Sequence, residues 1–179
     1  MKHSFRFAYK NLLLRPVKKE DLELLRNWRN ESHPFLSKID YITAEKQMEW
    51  YRQSLRDMNC CTFAIEETEE LNRLIGSMAL YNFSGHVCEF GRALLGEKLS
   101  RGKGNGFLST VICLHIGFEK LGMRSISATV DKDNTAALKA YGKAGFEIVK
   151  ALNENELEIC INNERFAEKH TFLAEISEG

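Results

Sequence analysis

Interruptions are scarce in this chain. Only two prolines occur in 179 residues, Pro16 and Pro34, with no Ser/Gly-rich linker, internal repeat or low-complexity stretch. Nothing marks a boundary, and the length suits one domain, residues 1–179, with a full hydrophobic core. No apolar run is long enough to cross a bilayer, so a membrane partner is not expected. The N-terminus carries Lys2 and Arg6 without an apolar stretch or a small-residue cleavage site, which argues against a secretory signal. Net charge is missing too. Lys+Arg and Asp+Glu each number 25, which gives no electrostatic case for a nucleic-acid partner. The five cysteines are odd in number and form no CxxC pair, and the five histidines do not cluster with them. A disulfide framework and a metal site are therefore not expected, and reduced thiols fit a cytoplasmic location.

What is present is an ordinary globular composition, 44% apolar and 28% charged. Asn11 to Val17 reads as a strand. Glu20 to Asn30 reads as a helix, with Leu22, Leu25 and Trp28 at helical spacing. Thr43 can cap a second helix with Glu45 in its first turn, and Met48, Tyr51 and Leu55 line one face of it. Cys61 to Ile65 and Leu74 to Tyr81 read as strands joined through a polar hairpin loop, Glu66 to Arg73. Val87 to Leu95 is a further strand. Gly106 to Leu121 has Phe107, Val111, Leu114, Phe118 and Leu121 on one helical face, with Gly122 where a C-cap belongs. Ile126, Ala128 and Val130 alternate with polar residues, a strand period. Asn134 to Ala144 is a short helix ended by Gly145, and Phe146 to Leu152 a strand. Asn162-Asn163 is expected to turn a last hairpin, from Leu157–Ile161 back through His170 to Ile176. The order β-α-α-β-β-β-α-β-α-β-β describes an α/β (α+β) mixed sheet flanked by helices.

The chemistry concentrates in Arg101-Gly102-Lys103-Gly104-Asn105-Gly106. Three glycines directly before an amphipathic helix let backbone N–H groups approach a ligand. The helix N-terminus adds free donors and partial positive charge, and Arg101 and Lys103 add more. This is an anion site suited to a pyrophosphate. Two nucleotide motifs fail on position. A Rossmann fingerprint beginning at Gly102 needs glycine at 107, which is Phe107. Gly91 and Gly96 have P-loop spacing but are followed by Glu97 and Lys98.

The pattern R-x-x-G-x-G, as Arg101, Gly104 and Gly106, resembles the pyrophosphate loop of the GNAT acyltransferases, where [QR]-x-x-G-x-[GA] binds coenzyme A. Its flanks match in order: the strand GRALL, the helix Gly106–Leu121, the strand SISATV, then N-x-x-A-x-x-x-Y-x-x-x-G-F from Asn134 through Tyr141 to Phe146. The resemblance is good from about Cys88 to Phe146. It continues more loosely from Leu13, where LRPVKKEDLELLRNWRN is similar to the start of the ribosomal-protein acetyltransferase-like branch. It implies a mostly antiparallel central sheet, acetyl-CoA as co-substrate and no metal. It places the cofactor against Arg101 to Gly106, against Asn134, and against the backbone of Leu94 and Leu95, which would pair with pantetheine as a strand does. The interval from Gly91 to Arg101 is about two residues longer than this branch leads one to expect.

Acetyl transfer to an amine needs a neutral nucleophile held near the carbonyl, donors for the developing oxyanion and a proton for the leaving thiolate. The resemblance offers Glu89 as general base, acting directly or through water, and Tyr141 as general acid. The alternatives are a solvated strand carboxylate for Glu89, a core aromatic for Tyr141 and simple helix capping for Asn134. Trp28, Arg29, Glu31, Trp50 and Tyr81 can line an acceptor pocket, although Trp28 also continues the apolar stripe and Arg29 and Glu31 also read as surface charges. His33, His86 and His115 have no evident partner. The expected acceptor is a small-molecule primary amine. LRNWRN, ITAEKQMEWYRQSL and CEFG resemble enzymes that acetylate a nucleotide-linked amino sugar. Protein N-termini and polyamines are alternative acceptors, and a non-catalytic acyl-CoA-binding module is an alternative of another class. A terminal hairpin strand could pair across a homodimer.

Overall fold

Burial along Cys60–Glu67 shows why the middle of the chain is a sheet. Cys61, Phe63 and Ile65 are fully shielded on one face, and Cys60 and Ala64 are nearly so on the other. A strand covered on both faces lies centrally. The structure, a computed structural model, describes residues 3–32, 41–171 and 173–179. His33 lies outside the described residues.

Among the described residues the elements run β1 (Phe7–Tyr9), β2 (Leu12–Pro16), α1 (Leu22–Glu31), α2 (Ala44–Ser54), β3 (Cys60–Glu67), β4 (Arg73–Ser84) and β5 (Val87–Leu95). They continue with α3 (Asn105–His115), β6 (Ser125–Asp131), α4 (Thr135–Ala144), β7 (Glu147–Ala151), β8 (Glu156–Asn162), α5 (Asn163–Lys169) and β9 (Ser177–Glu178). The strands form one sheet in the order β7-β8-β6-β5-β4-β3-β2-β1-β9. Every pairing is antiparallel except β5 with β6. That parallel pair needs a crossover, which α3 supplies.

The parallel pair is short. Val87, Cys88 and Glu89 face Ser125, Ile126 and Ser127. Beyond Glu89, β5 stays with β4 and β6 stays with β8, so the two strands part and leave a wedge. A bulge sits where they part. Ala79 faces Gly91 while Ser77 faces Leu94, so β5 carries one extra residue, and Arg92 takes the left-handed conformation at φ 51°.

Helix α3 covers one face of the sheet. Val111, Ile112, Cys113 and Leu114 are all fully buried, and four consecutive residues point all the way round a helix. The single apolar face expected of it is thus a helix buried on every side. It continues as one π turn, Ile116–Lys120, closed by Leu121 N–H to the Ile116 carbonyl at 3.0 Å, and Gly122 ends it at φ 66°. Helices α1 and α2 cover the other face, where Leu25 and Trp28 meet Ala64 and Leu74. The entry to α1 is anchored by the buried Arg15, which is bidentate to Asp21 at 2.7 and 2.9 Å and also pairs with Glu66 at 2.6 Å. Thr43 caps α2 as expected, accepting from Lys46 N–H at 3.2 Å. The expected apolar face of α2 is corrected: Leu55 is exposed, and Gln47 is its buried residue.

Three other expectations are corrected. The first strand is preceded by β1, a three-residue strand that pairs back on β2. Asn162-Asn163 turns no hairpin; the Asn162 side chain accepts from Arg165 N–H at 2.8 Å and caps α5. The hairpin is instead β7–β8, turned by Asn153, whose Oδ1 accepts from the N–H groups of Asn155 and Glu156 at 2.8 and 2.9 Å. The C-terminal strand β9 pairs with β1 at the far end of the sheet.

The β3–β4 loop hangs on one carboxylate. Glu67, 2% exposed, accepts from Asn11 Nδ2 at 3.0 Å and from the N–H groups of Glu69, Glu70 and Leu71. Burial alone would raise its pKa. The Leu71, Glu69 and Glu70 amides and Asn11 outweigh it and bring the group down to about 2. A depressed carboxylate pKa stabilises the fold above the unfolded value and is lost as pH falls toward the folded one. The expected result is a melting temperature that declines from about pH 4.5 toward pH 2, with a shallower decline in Glu67→Gln, read by calorimetry across that window.

Candidate active site

The loop before α3 is shaped by two left-handed glycines. Gly102 and Gly104 have φ of 76° and 83°, and a Cβ built on either meets nothing within 4 Å. Gly104 is the N-cap residue of α3 and has no side chain to satisfy the first-turn amides, so those donors stay free for a ligand. This end of α3 opens into a cleft of about 610 Å³ in the wedge between β5 and β6, bounded on the far side by α4.

Most of the residues expected to hold the cofactor converge on this cleft. Arg101, Gly102, Gly104 and Gly106 form its polar end. Leu94 and Leu95 come from the part of β5 that has left β6, and Asn134 and Tyr141 come from α4. Asn134 Oδ1 also caps α4, accepting from Ala137 N–H at 3.0 Å. Two loop residues turn elsewhere. The Lys103 ammonium pairs with Glu70 of the β3–β4 loop. The Asn105 side chain is 2% exposed and donates to the Ser100 carbonyl at 3.1 Å, which braces the loop from below. The interval from Gly91 to Arg101 holds the bulge at Arg92 and a 3₁₀ turn, Lys98–Ser100.

Lys139 and Lys143 of α4 also border the cleft. Sequence reasoning missed them, although their i, i+4 spacing on one helix face was available as a signal. Phe107, Leu95 and Ala137 give the middle of the cleft an apolar wall. The set fits coenzyme A: free amides and cations for its phosphates, an apolar channel for its arm, and an unpaired strand edge for its amides.

Tyr141 stands at the inner end. Its ring packs edge-on against Phe90, with centroids 5.3 Å apart. Among the described residues its hydroxyl has no hydrogen-bond partner. Burial first, then the neighbouring Cys113 and Tyr81, pushes the phenol up to about 12.

A second cleft, about 590 Å³, lies on the opposite face of the sheet under α1 and α2. Arg29, Lys46 and Trp50 line it from the helices, Cys60 and Thr62 from β3, and Arg92 from the bulge. The two clefts thus approach one another through adjacent residues of β5, since Arg92 faces one and Ala93 the other. Arg29, half-buried, donates to the Arg92 carbonyl at 3.2 Å, and among the described residues neither guanidinium has a carboxylate at ion-pair distance. Burial and the charge of Arg92 lower the Arg29 pKa. Of the other acceptor-side candidates, Trp28 is core and packs on Gly96, where a Cβ would fall inside its ring. Glu31 borders a separate recess beside Arg101. Tyr81 and Glu89 sit facing each other on β4 and β5, and Asn82 Nδ2 donates to Glu89 at 2.9 Å. His86 lies 3.0 Å from the Gly122 carbonyl and His115 packs on Phe7, both away from the clefts.

Residues 11–147 match an acetyltransferase (GNAT) domain. The chain belongs to the GNAT acetyltransferase family. It is an acetyl-CoA-dependent N-acetyltransferase. It is similar to the acetyltransferase PseH of Campylobacter jejuni, 30% identical over 132 residues that span 72% of this chain and 78% of that protein. Its fold matches spermidine N-acetyltransferase from Vibrio cholerae, solved with CoA and spermine, with a TM-score of 0.78 and 21% identity over 87% of this chain and 98% of that one. It also matches Mycobacterium smegmatis RimJ, solved with CoA-disulfide, with a TM-score of 0.74 and 17% identity over 94% of this chain and 91% of that one. Among the described residues, no helix of this GNAT chain is long and apolar enough to cross a membrane.

Proposed function

We propose that this N-acetyltransferase acts on the primary amine of a small acceptor that also carries negative charge, a nucleotide-linked amino sugar, by direct attack with both substrates bound. The observation that carries this is the lining of the second cleft. Arg29, Arg92 and Lys46 face it, against one carboxylate, Asp57, among the described residues. Two arginines held side by side without acidic partners repel each other, and an anionic group on the acceptor relieves that repulsion and forms charge-assisted hydrogen bonds. A polyamine brings positive charge to the same place and is disfavoured. Trp50 offers a flat apolar surface beside the cations.

The loop Arg101–Gly106 and Asn134 hold the cofactor, and the backbone at Leu94 and Leu95 aligns its arm. Glu89 takes the proton that the amine gives up, and Tyr141 supports the leaving thiolate. A single carboxylate base suits an amine with a pKa near 8 better than a lysine-like amine near 10.4.

The test is release of CoA thiol with a panel of a nucleotide-linked amino sugar, the free amino sugar, spermidine and an N-terminal peptide. The nucleotide-linked amine should turn over best, and a preference for spermidine overturns the reading. In Arg29→Ala the KM for the nucleotide-linked acceptor should rise about tenfold, as expected for one lost hydrogen bond to a charged group. The KM for acetyl-CoA should stay as it is, since Arg29 does not border the first cleft.

A further inference from the structure

Glu89 has the chemistry of a base but not the reach. It lines neither cleft, and its carboxylate is held by Asn82. Along β5 it stands three residues before Arg92, about 10 Å back from the bulge at which the clefts meet.

Tyr81 reaches into that gap. It pairs directly with Glu89 across β4 and β5, and the Glu89 charge acts on its phenol. Its hydroxyl lies over Gly91, so close that a Cβ built there falls 2.8 Å from the oxygen. The Arg92 guanidinium covers the Tyr81 ring at 4.5 Å from the centroid, and Arg92 also donates to Cys60 Sγ at 3.4 Å. Tyr81 lines neither cleft itself, but Arg92, which covers its ring, lines the acceptor cleft together with Cys60, and the hydroxyl reaches over Gly91, the residue before Arg92. Holding it there requires Arg92 at φ 51°, a conformation that costs a non-glycine residue free energy and that the bulge imposes. The charged and titratable groups around the phenol are Glu89 and Arg92 on β5, Cys60 on β3 and Tyr141 on α4.

We propose that Tyr81 is a catalytic residue, the hydroxyl that carries the proton from the acceptor amine to Glu89. The neutral amine forms its N–C bond to the thioester carbonyl carbon as the C–S bond breaks. The nitrogen gives one proton to the Tyr81 oxygen while Tyr81 passes its own to Glu89. The departing sulfur takes a proton from Tyr141, and Glu89 and Tyr141 re-equilibrate through solvent. Burial and then the Glu89 charge push the Tyr81 phenol above its ordinary value, against the pull of Arg92, so it enters the step protonated.

This relay rests on the assignment of Glu89 as base, and it is tested on whichever amine of the panel the wild type acetylates. The panel therefore decides the acceptor and the mutants decide the relay. In a cycle of Tyr81→Phe, Glu89→Gln and the double mutant, Tyr81→Phe should lower kcat about tenfold, less than the usual scale of general base catalysis because water can partly replace the hydroxyl. Glu89→Gln should cost less than about twofold more once Tyr81 is gone, as for groups that act as one unit. The kcat/KM pH profile of Tyr81→Phe should take the shape of the Glu89→Gln profile. KM for acetyl-CoA should not move. A Tyr81→Phe enzyme within twofold of wild type overturns the relay, as does full additivity in the double mutant. A fall in kcat with the wild-type pH profile retained overturns it too and makes Tyr81 a packing residue.

Discussion

With valine in place of Gly104, acetyl-CoA is expected to bind at least about a hundredfold more weakly. Two effects add. Gly104 sits at φ 83°, where a β-branched residue is strained by about 1–3 kcal/mol. The side chain would also project into space that contains no protein atom within 4 Å of the Cβ position and that lies over the free amides of α3. Displacing one charge-assisted hydrogen bond there costs about 1.5–3 kcal/mol. Alanine separates the two effects. Its single methyl meets nothing in the protein, so Gly104→Ala bears the backbone strain with little of the obstruction and should bind acetyl-CoA with an intermediate Kd. Calorimetric titration of CoA decides the matter. An unchanged Kd in the valine variant refutes the assignment of this loop as the phosphate site. Lys103, by contrast, is engaged by Glu70, so Lys103→Ala is expected to weaken acetyl-CoA binding less than Gly104→Val.

The residues that gather in the first cleft were legible in the sequence, because they rest on local signals. The glycines of the loop, the Asn134 cap and the Tyr141 position each depend on residues a few places apart along one helix or turn, and the structure brings them to one cleft. Strand β6 was legible for the same reason, since its burial alternates with period two, and β3 and β4 were legible as continuous apolar runs between turn signals. The failures are instructive. Asn162 was read as a turn residue and is an N-cap, and the two roles use the same side-chain oxygen accepting from a backbone N–H two or three residues on. Three-residue β1 carries too little pattern to register, although its hairpin partner β2 is only a turn away. At the bulge the left-handed residue is Arg92 and not its neighbour Gly91, so the glycine in the sequence does not mark the position that takes the strain. Arg29 followed the polar stripe of α1, yet it is turned toward a cleft that forms only when α2, β3 and β5 come together. The acceptor half is therefore a tertiary property, and a sequence reading could name its residues only as candidates.

The second large effect is expected at Tyr141. Phenylalanine there should lower kcat by about a hundredfold, the ordinary scale of a positioned acid, with KM for acetyl-CoA close to wild type. The substitution removes one oxygen and keeps the ring against Phe90 and Phe146, so the fold should tolerate it and the melting temperature should hold. The raised pKa of the phenol sharpens what is lost. A group near 12 does not hand its proton fully to a thiolate whose conjugate acid sits near 8.5, since the transfer is uphill by about 5 kcal/mol in water. The same burial that raises the phenol also raises a thiolate held beside it, which narrows the gap. On the proposed role, Tyr141 acts first as a hydrogen-bond donor to charge developing on sulfur and completes the transfer as the product forms. It follows that kcat should show no falling limb from Tyr141 up to about pH 10, because the protonated phenol persists well past that point. A Tyr141→Phe enzyme that turns over at the wild-type rate would reduce the residue to an aromatic wall of the cleft and leave the thiolate to solvent.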